Sequence, residues 1–364
     1  MKTRLAPAFL LGCGAVAALG AFGGHSLAPG RLLVLAKSDQ TLSVVDPATL
    51  NVIGRMPSGP DPHEVVASSD GRFAYVSNYN GGGNIITAID LAAMKALPPI
   101  DLGPLRAPHG LAFVAGKLWF TAEGAKAIGS YDPAASKVDW ILGTGQNRTH
   151  MIFVFDDLKR IVTSNVSSAT MTIIEKTAAG GRGTPGGPPP GAAPIPGSGP
   201  PPGPSNRGRG PGGPQADWDE TVVPVGRGAE GFDVSPDGKE IWAANAQDGT
   251  VSIVDLSTKK VTQTLTANVA GANRLKFTPD GKLVLVSTLS GPDLTVLSAA
   301  TRAVVKRIPI GHGAAGIQMQ PDGVRAFVAC TPDDYVAVID LQSLEVAGHI
   351  NAGRQPDGLA WVVR

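Results

Sequence analysis

The 364-residue chain is expected to be all-β: a seven-bladed β-propeller of four-stranded antiparallel blades, the first blade closed by the C-terminal strand. Three observations predict this. A unit of roughly 42 residues recurs seven times, and self-similarity at about 40 to 45 residues marks propeller blades. Each unit holds four short runs rich in Val, Ile and Thr, separated by turn residues. The first unit lacks an innermost run, while a spare one, GLAWVVR, ends the chain at Gly358 to Arg364.

The clearest unit starts at Pro236 (PDGKEIWAANAQDGTVSIVDL), followed by units at Pro279 and Pro321. Weaker units start near Ser69, Ala115 and Asp156, and a partial one at Arg31. The first two runs of a unit are joined by Asp-Gly, as at Asp70-Gly71, Asp237-Gly238, Asp280-Gly281 and Asp322-Gly323, a pair suited to the positive φ of a tight hairpin. The third run ends on a column of Asp46, Asp90, Asp132, Glu175, Asp255, Ser298 and Asp340, read as groups that cap their own turns. Helices should be nearly absent.

Residues 1–28 read as an export signal or N-terminal anchor: MKTR, then an apolar stretch from Leu5 to Gly23. Cleavage within Gly20 to Ala28, retention as a membrane anchor and lipid attachment at Cys13 are the alternatives. Residues 29–364 form the propeller. An exported protein is expected, periplasmic or extracellular, and monomeric. Residues 178–215 are almost entirely Gly, Pro, Ala and Ser, a composition expected to give a disordered insert within blade four, on the face opposite the site discussed next.

Only Cys13 and Cys330 are present, so there is no disulfide framework and no CxxCH for haem. No phosphate loop or dinucleotide fingerprint occurs, which argues against a nucleotide cofactor. The formal charge is +1 without a basic stripe, which argues against nucleic acid as a partner.

The residue heading each innermost run forms a second column: His63, His109, His150, Glu230, Asn273, Ala315 and Asp357. With Asp357 placed in blade one by ring closure, five successive blades present Asp, His, His, His, Glu as one arc. Three of the chain's six histidines fall in it. Asp357, His63, His109, His150 and Glu230 are ligand types suited to a divalent transition metal such as zinc, copper or iron. Imidazole and carboxylate also serve as proton acceptors. Structural use stays open, because groups at strand starts bond neighbouring backbone. The next position is glycine in four blades (Gly110, Gly231, Gly316, Gly358), which suggests crowding or positive φ. Glu64 there adds a carboxylate, and Arg274 is a candidate clamp for an anionic group. Asn80, Glu123, Lys126, Asn165, Asn245 and Asp248, in or beside loops on the same face, are supporting candidates, and His312 is placed near the channel.

YVSN (Tyr75 to Asn78), WAAN (Trp242 to Asn245), the PDGK-type turns and the VSIVDL segment resemble the YVTN-repeat β-propeller family. The resemblance covers the chain from about Arg31 onward apart from the insert. It implies exported seven-bladed propellers, with surface-layer proteins and lactonase-type hydrolases among the relatives. Pro62 to Val65 (PHEV) is similar to a turn of the lactonase-like branch. The leading functional expectation is a binding protein for a small molecule, metal ion or envelope component at the histidine arc, with His63, Glu64, His109, His150, Glu230, Asn273, Arg274 and Asp357 lining the site. A metal-assisted lactonase-type hydrolase on the same site and a cell-envelope structural or interaction module are the alternatives. No catalytic residue is assigned.

Overall fold

The computed structural model describes residues 30–79, 82–177 and 217–363. These form seven antiparallel sheets arranged as the repeat predicts. The innermost strands are Pro356–Val363, Pro62–Ala67, Pro108–Val114, Thr149–Val154, Ala229–Val234, Ala272–Phe277 and Ala314–Met319, in blades one to seven. Ring closure follows the expected device. Pro356–Val363 pairs with Gly30–Ala36, in register from Gly30 opposite Val363, so the last strand supplies the edge that the first unit lacks. Helical structure among the described residues is limited to short 3-10 turns such as Glu123–Ala125 and Thr331–Asp333.

The turn chemistry is as read. Gly71, Gly238, Gly281 and Gly323 adopt φ of 68°, 70°, 71° and 73°. The preceding aspartates accept backbone N–H bonds from Arg72, Lys239, Lys282 and Val324. Asp46, Asp90, Asp132, Asp255 and Asp340 each accept N–H bonds from their own turns, as does Ser298. Glu175 is the exception: it pairs with Lys259 Nζ at 2.6 Å instead. In blade two the outer strand is split into Lys95–Ala96 and Ile100–Asp101, because Pro98 and Pro99 between them bring no N–H to the ladder.

The apolar residues of each blade pack against the next, so the core is a ring of inter-blade clusters. One joins Leu33, Leu35, Leu42, Val65, Val76 and Ile89 across blades one and two. Another joins Leu32, Val34, Phe327 and Val338 across blades one and seven.

One regular feature was not expected. In all seven blades the pairing of the innermost strand slips by one residue between its first and fourth positions, as between Pro62 and Val65 or Thr149 and Ile152. The residues in these bulges are the histidine column and the position after it. A bulge turns a side chain away from the ordinary alternation. Here it aims both positions at the axis.

Residues 178–216 and the N-terminal segment, including Cys13, lie outside the described residues, as does Asn80. The residues flanking the insert, Lys176 and Trp218, pair with each other at the sheet edge opposite His150. No helix among the described residues is long and apolar enough to cross a membrane.

Candidate metal centre at the channel mouth

The frame that positions the column is a set of hydroxyls on the second strands. Thr121 Oγ1 accepts the Gly110 N–H and donates to the His150 carbonyl of the next blade at 2.8 Å. Ser164 accepts from Met151 and donates to the Glu230 carbonyl. Ser287 accepts from Arg274 and donates to the Ala315 carbonyl. Adjacent blades are thus stitched together at the column.

The glycines beside the column permit the same approach. A Cβ on Gly110 would lie 2.5 Å from the His150 carbonyl oxygen, and one on Gly316 would lie 2.2 Å from that of Asp357. Crowding, and not positive φ, is what demands glycine here.

His109 and His150 come from adjacent blades, with ring centroids 3.8 Å apart and planes at 36°. Both are buried. Glu123, which opens the 3-10 turn Glu123–Ala125, reaches His150 Nδ1 with its Oε1. Tyr79 donates to the other Glu123 oxygen at 2.7 Å, which fixes the carboxylate. One ligand atom each from His109, Glu123 and His150 lie within 4.8 Å of one another. His109 Nδ1 is buried and has no hydrogen-bond partner. A buried polar nitrogen is normally satisfied, so this orphan atom inside a His/Glu/His cluster fits a metal ligand.

Glu230 completes the surroundings. Its Oε1 lies 3.0 Å from His150 Nε2, close but not aligned as a hydrogen bond, and 3.2 Å from Arg148 Nη2. Arg148 Nε also lies 3.6 Å from Glu123 Oε1. Titration follows this arrangement. Burial, aided by His150 and Arg274, pushes His109 well below its ordinary value, so that ring is neutral. Burial also presses on His150, but Glu123 and Glu230 outweigh it and raise the ring above its ordinary value. Burial alone would raise Glu230, but His150 and Arg148 bring it down to about 2. Burial and the bond to Glu123 push Tyr79 up to about 12, which keeps it a donor.

His63, the third histidine of the arc, belongs to a different cluster. Its ring centroid is 5.2 Å from that of His109. Lys37 Nζ lies 3.0 Å from its Nε2, and Asp61 Oδ1 lies 3.2 Å from the same atom. Asp357 Oδ2 is 3.6 Å from its Nδ1 and 3.4 Å from Lys37 Nζ. Burial lowers His63 and raises Asp357. The five-residue arc is therefore contiguous at one mouth but divided, with a His109/His150/Glu230 half and a His63/Asp357 half.

Glu64 and Arg274 form a buried ion pair between blades two and six, and Arg274 also bonds the Asn273 carbonyl at 3.1 Å. Arg274 is thereby committed to the protein and not free to clamp a ligand. The pair spans the channel just below the column. Beyond it, away from the histidines, opens a cavity of about 320 Å³ bordered by Val66, Phe113, Phe153, Lys276, Gln318 and Trp361.

Of the remaining candidates, Asn273 is buried with its Oδ1 unpartnered. Asn165 and Asn245 are fully buried and hold the second-to-third-strand turns through Thr170, Thr172, Thr250 and Ser252, a structural task. Asp248 pairs with Arg227. Lys126 ends the Glu123 turn at φ 51°. His312 lies exposed beside Asp333. Cys330 is buried, and its thiol is pushed up to about 12 by burial, so it is inert.

No protein-family model matches the chain, and no curated protein matches it. Solved structures do. One is a functionally unknown protein from Desulfotomaculum acetoxidans, with TM-score 0.68, 13% identity, 91% of this chain covered and 98% of that one. A candidate 6-phosphogluconolactonase from Bacteroides uniformis has TM-score 0.67, 15% identity and coverage of 92% and 99%. A hydrazine synthase chain from Kuenenia stuttgartiensis has TM-score 0.64, 17% identity and coverage of 88% and 98%. At these identities the likeness is one of fold: the seven-bladed β-propeller.

Proposed function

We propose that this chain is an exported β-propeller of the YVTN-repeat type that binds a divalent transition metal at one mouth of its channel. His109, Glu123 and His150 would hold the ion, with Glu230 beside them. The observation that carries the reading is the buried triad, with donor atoms within 4.8 Å of each other and His109 Nδ1 lacking any other partner. Nitrogen and oxygen donors of this kind suit zinc, copper or iron. Export is supported by the N-terminal sequence, and a small-molecule or envelope partner by the position of the site at an open face. Elemental analysis of untagged protein tests the reading. One metal per chain, lost in an H109A/H150A variant, supports it; equal, negligible metal in both overturns it.

A hydrolytic use of the same centre is the second reading, favoured by Glu230. It is a carboxylate outside the triad, 3.0 Å from His150 Nε2 and placed to orient a water molecule beside the ion. A bound metal would polarise a carbonyl or a water molecule there. The candidate lactonase among the structural neighbours is compatible with this reading, though a shared fold does not supply an activity. Ester and lactone hydrolysis with and without added metal tests it; rates indifferent to E230Q would count against it.

A further inference from the structure

We infer that the open side of this centre takes a singly charged oxygen anion, a carboxylate group, and that Arg148 clamps it. The inference rests on the metal reading above and extends it to the class of ligand.

The first argument is charge. A divalent ion, two neutral imidazoles, the carboxylates of Glu123 and Glu230 and the Arg148 guanidinium together leave one positive charge uncompensated. Within the His109/His150/Glu230 half nothing else offsets it. Arg274 is matched by Glu64, and the two carboxylates that face Lys37, those of Asp61 and Asp357, belong to the His63 half of the mouth. In a partly buried site an unmatched charge is costly, and a monoanion removes it.

The second argument is access. The side chains of His150 and Glu123 are 1% and 5% exposed, whereas that of Arg148 is 42% exposed. Its Nε and Nη2 face Glu123 and Glu230, so a ligand arriving from solvent at this half of the mouth meets the guanidinium beside the metal-binding atoms.

The third argument is unused bonding capacity. A guanidinium has five N–H donors, and the Arg148 side chain makes one hydrogen bond among the described residues, to Glu230. It grips neither carboxylate in the two-point manner that planar carboxylate recognition favours. Three protein ligands also leave a metal with a position for an exogenous group. One oxygen of a carboxylate can occupy that position while the other takes the free edge of Arg148. The His63 and Tyr79 rings flank the centre, which favours a short substituent.

The test is titration of the cobalt(II)-loaded protein with acetate and with acetamide, its neutral isostere, read by the visible cobalt spectrum and by calorimetry. Acetate is expected to shift the spectrum and acetamide is not. R148Q should weaken acetate by at least about tenfold, the loss of a charge-assisted bond, with R148K intermediate. Cobalt itself should bind R148Q at least as tightly as wild type, because a neighbouring cation has been removed. Acetate affinity unchanged in R148Q, or acetamide equal to acetate, overturns the inference while leaving the metal reading intact. Failure of wild-type protein to take up cobalt overturns both. A melting curve for R148Q checks that the ring is intact, and R148K carries the comparison if it is not.

Discussion

Arg274 of blade six and Glu64 of blade two meet across the axis of the ring, each at the position where four other blades carry glycine. Arg274 is 6% exposed. Burial disfavours its charge, and Glu64 and Asp357 restore it and raise its pKa. The pair closes the channel beneath the histidines and separates the proposed metal centre from the cavity on the far side.

Breaking that pair from one side leaves a buried charge without its partner. E64Q should cost about 3 to 5 kcal/mol of stability. A double E64M/R274M variant should recover most of the loss, since blade four already carries Met151 at this position. Chemical denaturation of the three proteins checks this. A double variant no more stable than E64Q would refute the account of the plug.

The close approach of neighbouring innermost strands makes a second prediction. G110A places a methyl group against the His150 carbonyl and should cost about 1 to 3 kcal/mol, disturbing the metal site as well. G143A, where an added Cβ meets nothing within 4 Å and φ is not positive, should be nearly neutral. Melting temperatures of the two variants are the measurement.

The propeller itself was readable because its evidence is repeated: Asp-Gly turns, capping aspartates and a missing strand balanced by a spare one. His63, His109, His150, Glu230 and Asp357 were found through the same symmetry, and the structure brings them to one mouth. Glu123 was harder to rank because it enters from a loop, just past the slot that Asn78, Asn165 and Asn245 fill in other blades. Its place on a second-to-third-strand loop, which opens on the same face as the column, was the available signal. Lys37, Tyr79 and Glu123 share one repeat position, just past the second strand, and Asp61 and Arg148 share another, two residues before the column. The residue type at each differs from blade to blade and so gives no signal. They also divide the arc, because the partner of a charge depends on which loops fold over it. The bulges have only a faint trace in sequence, the glycine after the column.

Acid sensitivity follows from the turn carboxylates. Asp237, Asp255 and Asp280 accept hydrogen bonds from neighbouring hydroxyls first, then from backbone N–H groups and, at Asp237 and Asp280, from the next lysine's ammonium, which at Asp237 comes ahead of the backbone. These lower each to about 2, from about 3.8 when unfolded. A depressed folded value means the contribution is complete above the unfolded value and is lost as pH falls toward 2. The melting temperature should therefore change little down to about pH 4 on account of these groups and fall below it. A D237A/D255A/D280A variant should be less stable at neutral pH and show a shallower acid limb. An acid limb as steep as wild type would refute the assignment.

The insert is predicted to be dispensable for folding. Its described flanks already close on themselves, with Thr177 N–H bonded to the Asp217 carbonyl at 2.8 Å. Replacing residues 178–216 with an Asn-Gly turn should leave the melting temperature unchanged or slightly raised, since a shorter loop costs less to close. A large drop would show that the segment packs on the ring.

The metal content of single variants tests the central claim most directly. With cobalt or zinc in excess followed by gel filtration, wild type and H63A should each retain one ion per chain. E123A should retain none, or bind at least about tenfold more weakly, while melting as a folded protein. Full retention by E123A, or loss in H63A equal to that in E123A, would contradict a centre built from His109, Glu123 and His150.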